Sequence, residues 1–174
     1  MKNVVLIGMP GSGKSTFGRA AARLLHRPFV DCDDFIEEME GRTIPELFAV
    51  SEACFRDAET RAARLLARRE GAVIAAGGGF VKRAENVALL RPSSAILFLD
   101  RAPEAIAGDV AVAGRPLLAE GPQKVFALYE ERIALYRAAA DRTVMNRGSE
   151  ADVLRTVTEA VRTLMGLDGK IYEK

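Results

Sequence analysis

The chain has 174 residues, 49% hydrophobic and 28% charged, with 25 Lys plus Arg against 24 Asp plus Glu. That length suits one domain, the apolar content excludes intrinsic disorder, and the near-zero charge balance excludes binding nucleic acid or an anionic membrane through a global field. Cys32 and Cys54 are too few for a disulfide framework, the N-terminus lacks a leader pattern and no apolar run could span a bilayer, so a reduced, cytoplasmic monomer is expected.

Five short apolar runs, at 3–7, 28–31, 72–76, 94–99 and 142–145, alternate with helix-length segments, which predicts an α/β sandwich around parallel strands. The first run leads into Gly8-Met9-Pro10-Gly11-Ser12-Gly13-Lys14-Ser15, the pattern G-x-x-x-x-G-K-[S/T], at the start of a helix predicted over 14–26. Such a P-loop curls its N–H groups around an anion: Gly11, Ser12, Gly13 and Thr16 are candidates for phosphate, Lys14 for the β- and γ-phosphates, and Ser15 for Mg²⁺. No N-K-x-D guanine signature is present and the chain is short for a large ATPase core, which leaves the small kinases that use ATP.

The second run ends in Asp31, with Asp33 two residues on; read as strand, both face the carboxyl edge of the sheet, one for a metal and one for a substrate hydroxyl. Helices follow at 34–40, 44–49 and 52–69, with Thr43 as an N-cap. On 52–69, Phe55, Ala62 and Leu66 form an apolar stripe with Glu59 near its centre and Glu52 and Arg56 on its flank, so Glu59 is expected to hold Arg56 in a fork for a substrate carboxylate. Gly77-Gly78-Gly79 after the third run lets a ligand approach the backbone. Further helices are predicted at 84–90, 102–108, 122–139 and 149–166, the last capped by Ser149. Residues 109–121 read as a mobile lid bearing Arg115, and the tail 167–174 as flexible. Along 122–139, Arg132 falls on the face of Val125, Leu128, Tyr129 and Tyr136, and an inward arginine needs an anion.

Together, the P-loop, Asp31-x-Asp33, Phe55-Arg56-x-x-Glu59, Gly77-Gly78-Gly79, Arg115-Pro116-Leu117-Leu118 and Arg132-x-x-Leu135-Tyr136 resemble the shikimate kinase family in order and spacing, over nearly the whole chain. The resemblance implies a P-loop NTPase-type fold with a five-stranded parallel sheet flanked by helices, and ATP-dependent phosphorylation of the 3-hydroxyl of shikimate. It implies that Arg56, Arg132, Gly78 and Gly79 hold the acceptor between Phe48 and Phe55, that Asp33 takes the hydroxyl, that Asp31 supports Mg²⁺ beside Ser15, and that Lys14 and Arg115 neutralise the transferring phosphoryl group. Gly108 stands where the family usually carries an arginine against the adenine, and Arg147 is expected to substitute. Rival assignments are a kinase for gluconate or a nucleoside monophosphate, and a non-catalytic nucleotide-binding switch.

Overall fold

Every predicted apolar run forms a strand of one parallel sheet in the computed structural model, which describes residues 1–113 and 122–167. The strands are β1 (Asn3–Ile7), β2 (Phe29–Asp31), β3 (Val73–Ala75), β4 (Ser94–Asp100) and β5 (Arg142–Met145), in the order β2-β3-β1-β4-β5. β1 is therefore central, paired with β3 on one side and β4 on the other. All three of these strands are buried along their length, as strands covered on both faces must be.

Among the described residues the helices are α1 (Lys14–Leu24), α2 (Cys32–Glu40), α3 (Ile44–Val50), α4 (Glu52–Leu66), α5 (Ala84–Leu90), α6 (Pro103–Ala113), α7 (Pro122–Ala139) and α8 (Glu150–Leu164), with a 3₁₀ turn at Phe80–Lys82. Strand alternation divides the core in two. Val4 and Leu6 of β1 pack with Phe17, Ala21, Val153, Val157 and Val161 of α1 and α8. Val5 and Ile7 pack on the other face with Ile36, Leu47, Phe55, Ala62, Leu66, Ile106, Val125 and Tyr136, contributed by α2, α3, α4, α6 and α7. The result is a helix–sheet–helix sandwich.

Caps fix several of the helix starts. Thr43 forms a full capping box with Glu46 on α3, and Ser149 accepts from the Asp152 amide on α8. Ser51 caps α4 by accepting from the Cys54 amide, which sets the register that turns Phe55, Arg56 and Glu59 inward.

Several ends shift by one to three residues, among them α4, which stops at Leu66, and two differences bear on the site. The strand reading of Asp31 and Asp33 fails because Asp31 ends β2 and is itself the N-cap of α2, accepting from the Asp33 amide at 3.1 Å; Asp33 lies in the first helical turn. Asp31 competes for the backbone more effectively than a strand would, because its side chain satisfies an otherwise orphan N–H. The helix expected at 102–108 runs on to Ala113, so 109–113 of the lid candidate are helical and Gly108 is an exposed helix-interior residue with nothing within 4 Å of where a side chain would begin. One glycine costs a helix only about 1 kcal/mol, and neighbouring good helix formers override it. The rest of the lid candidate, including Arg115, and the tail 168–174 lie outside the described residues.

Candidate active site

β1 is followed by Gly8, where φ is 149°, and a Cβ there would sit 2.5 Å from the Leu99 carbonyl oxygen of the neighbouring strand. Gly11 and Gly13 also adopt positive φ, 79° and 96°, and Gly13 is the N-cap of α1. These are backbone shapes that only glycine enters freely. Lys14 folds back into this loop, donating from Nζ to the carbonyls of Gly8 at 2.9 Å and Met9 at 2.8 Å. Burial lowers its pKa to about 8, with Asp33 and Asp31 acting in the opposite direction.

Ser15 and Asp31 meet at the mouth of the loop, where the hydroxyl donates to Asp31 Oδ2 at 2.5 Å. Two hard oxygen donors at one exposed point fit Mg²⁺, which takes few protein ligands and completes its shell with water and phosphate oxygens. Among the described residues there is no cluster of three or more His, Cys, Asp or Glu that could form a cage made of protein alone. Asp33 is exposed to the cleft; partial loss of water, then Asp31, raises its pKa, and Lys14 partly opposes them.

Beyond Asp33 is a cavity of about 360 Å³, lined among others by Pro10, Phe48, Phe55, Arg56, Gly79 and Arg132. Phe48 and Phe55 stack with centroids 4.4 Å apart, making one wall. Arg56, 9% exposed, donates from NH1 to Glu59 Oε2 at 2.6 Å, and its guanidinium lies 5.1 Å from the Phe55 ring centre. Glu59 is fully buried, and desolvation raises its pKa despite the arginine beside it. From α7, Arg132 donates to the Gly78 carbonyl at 3.3 Å, and the buried Tyr136 hydroxyl donates to the same oxygen.

The glycine run is bare because its side-chain space is taken. A Cβ on Gly77 would crowd Asp33 and Glu59, one on Gly78 would strike Pro10, and one on Gly79 would collide with the Arg56 guanidinium. Asp33, Phe48, Phe55, Arg56, Glu59, Gly78, Gly79 and Arg132 thus converge on a single cavity.

A second cavity of about 400 Å³ opens on the opposite side of the P-loop, lined among others by Gly11, Gly13, Thr16, Arg101, Ile106 and Asn146. Arg147 is exposed and lies outside this lining, although its neighbours Asn146 and Gly148 are part of it. Among the described residues, a cation that does line the cavity is Arg101, donating from NH1 to the Gly11 carbonyl at 3.0 Å and paired with Asp109 at 2.7 Å. Asn146 donates to the Ser12 carbonyl at 2.8 Å. Arg101, Ile106 and Asn146 of this cavity, and Lys82, which lines the first one, carry no motif and were missed in the sequence; Tyr136 was legible as a member of an apolar face and of the Arg132-x-x-Leu135-Tyr136 pattern, with no role given to it. Cys32 is buried with its thiol pKa pushed well up by burial, so it is a packing residue.

A family model described as shikimate kinase matches residues 10–162. The chain is 48% identical over 162 residues to a shikimate kinase of Clostridium beijerinckii, covering 92% of this chain and 96% of that one. Among solved structures, the shikimate kinase of Acinetobacter baumannii in complex with shikimate superposes with a TM-score of 0.84 at 31% identity, covering 98% of this chain and 96% of that one. The shikimate kinase of Aquifex aeolicus gives a TM-score of 0.77 at 30% identity, covering 94% and 99%.

Two outcomes are expected from this geometry. Gly79→Ala displaces the Arg56 guanidinium, so steady-state kinetics should show the acceptor KM rising about 10-fold or more, the order of one lost hydrogen bond to a charged group, with nucleotide KM unchanged. Because Lys14 in the free protein loses its proton as pH rises through about 8, triphosphate binding should weaken above that pH and be accompanied by proton uptake. Calorimetric titrations in buffers of different ionisation heat measure both; affinity that is flat with pH and releases no buffer heat would rule out that role for Lys14.

Proposed function

The chain belongs to the shikimate kinase family, and on that premise we propose that it transfers the γ-phosphoryl group of ATP to the 3-hydroxyl of shikimate, giving shikimate 3-phosphate and ADP. The observation that carries this reading is the convergence of Arg56, Arg132 and the Gly78–Gly79 backbone on one cavity, with Asp33 between them and the Lys14 loop. Two buried guanidinium groups make a planar, bidentate seat for a carboxylate, and the stacked Phe48 and Phe55 give a six-membered carbon ring an apolar wall.

With its carboxylate held there, the acceptor presents a hydroxyl to Asp33. The raised pKa of that carboxyl suits a group that orients the hydroxyl and takes its proton as the oxygen bonds to the γ-phosphorus. As the bond to the β-phosphate oxygen breaks, charge passes to ADP, where Lys14 and the amides of Gly11, Ser12, Gly13, Ser15 and Thr16 stabilise it. Ser15 and Asp31 would hold Mg²⁺, which supplies further neutralisation of the phosphates when bound. Arg115, outside the described residues, completes the proposal as a second cation on the moving phosphoryl group. The second cavity receives the nucleoside, with Ile106 and the guanidinium plane of Arg101 as its surfaces. Among the described residues no helix is long and apolar enough to cross a membrane, and a cytoplasmic monomer is part of the same proposal.

A coupled ADP-release assay over shikimate, gluconate and nucleoside monophosphates tests the acceptor: turnover is expected with shikimate, and turnover confined to the others would refute it. Arg132→Ala should raise the shikimate KM about 10- to 100-fold while leaving that for ATP nearly unchanged, the size expected for hydrogen bonds to a charged group. At the nucleoside end, Arg101→Ala should weaken ATP but leave inorganic tripolyphosphate binding unaltered, whereas Arg147→Ala should change neither; equal loss of both ligands would instead make Arg101 a support for the P-loop.

A further inference from the structure

Each arginine of the acceptor cavity has a carboxylate at the rim. Glu52 Oε1 lies 3.3 Å from Arg56 Nε and 3.2 Å from its NH2. Glu131 Oε1 lies 3.8 Å from Arg132 Nε, a buried nitrogen with no hydrogen-bond partner among the described residues. Between the two carboxylates stands Lys82, three residues past Gly79, with Nζ 3.1 Å from that same Glu52 oxygen and 3.4 Å from that same Glu131 oxygen. The Glu52 carboxyl is held below its ordinary pKa, with Lys82 as the largest cause, ahead of Arg56.

Arg56 already commits NH1 to Glu59, so Nε and NH2 are the donors that Glu52 shares with any incoming anion. A rim carboxylate that settled fully onto Arg56 or Arg132 would occupy the N–H groups that an acceptor carboxylate needs, and a ligand would have to displace it. As isolated surface pairs, Lys82–Glu52 and Lys82–Glu131 would be worth little, since their members are 32%, 56% and 47% exposed. Their position gives them an effect that their strength does not.

We propose that Lys82 is a positioning residue for acceptor binding: it holds Glu131 back from Arg132 and shares Glu52 with Arg56, so that Arg132 stays open and Arg56 can exchange Glu52 for the carboxylate of the substrate. This rests on the reading that those arginines bind that carboxylate. On binding, the acceptor replaces Glu52 on Arg56 while Glu52 stays with Lys82, so one carboxylate exchanges for another and none is stranded at the rim.

The test is a double-mutant cycle on shikimate affinity and KM, using Lys82→Met, Glu131→Gln and the pair, with thermal melts to establish that each variant is folded. Lys82→Met should raise the shikimate Kd and KM about five-fold, the order of two exposed pairs, with ATP KM and kcat within about two-fold of the parent. Adding Glu131→Gln to Lys82→Met should restore most of that loss, whereas Glu131→Gln alone should change it less than about two-fold. Lys82→Gln serves as the second variant should Lys82→Met melt early. An unchanged Kd in the lysine variants overturns the proposal. So does an equal gain from Glu131→Gln in both backgrounds, which would mean that Lys82 acts only as a general positive field. Arg132→Ala separates the layers: if it weakens shikimate and Lys82→Met does not, the inference fails and the assignment of the clamp stands.

Discussion

The acceptor half of this molecule depends on the burial of two guanidinium groups. Arg56 and Arg132 are 9% and 8% exposed, and cations at that depth lose several kcal/mol of hydration that only well-placed acceptors return. For Arg56 the return comes from Glu59; for Arg132 it comes from the Gly78 carbonyl. Neither arrangement is complete, because Glu59 Oε1 and Arg132 Nε find no hydrogen-bond partner among the described residues. Both groups belong to residues lining the cavity, where an incoming anion can accept from Arg132 Nε and a ligand hydroxyl can donate to Glu59 Oε1, so the same deficit that weakens the fold sharpens the site.

The rest of the architecture can be understood as support for that placement. The central position of β1 sets the P-loop between β3 and β4, so the glycine run after β3 faces Lys14 across the carboxyl edge of the sheet. Tyr136 anchors the run from α7 and Arg132 reaches it one turn earlier on the same helix, while Ser51 fixes the register of α4 behind Arg56. Charge is graded along the cleft: Lys14 nearly stripped of water, Asp33 raised between Asp31 and the cavity wall, and the exposed Glu52, Lys82 and Glu131 at the mouth.

Much of this was legible in the sequence because its signals are local. The G-x-x-x-x-G-K-S run, the inward phase of Arg132 and the stripe enclosing Glu59 each need only neighbours a few residues apart, and the strands announced themselves as continuous apolar runs. What was misread depended on contests that periodicity does not register. Asp31 ended its strand by capping the next helix, and α6 ran through Gly108 because its neighbours tolerate one glycine. Arg101 and Lys82 stayed hidden because their roles are set by tertiary neighbours, Gly11 and Asp109 for the first and Glu52 and Glu131 for the second.

Asp31 divides its carboxylate between two tasks. Oδ2 accepts from the Ser15 hydroxyl on the nucleotide side, and Oδ1 accepts from the amide of Asp33, the residue that faces the acceptor. The two halves of the cleft are therefore not separable modules. Grafting a different acceptor segment onto this nucleotide-binding frame by exchanging α2 together with its N-cap would also replace the pin between them, so any redesign of what is phosphorylated has to begin by preserving the Asp31 side chain.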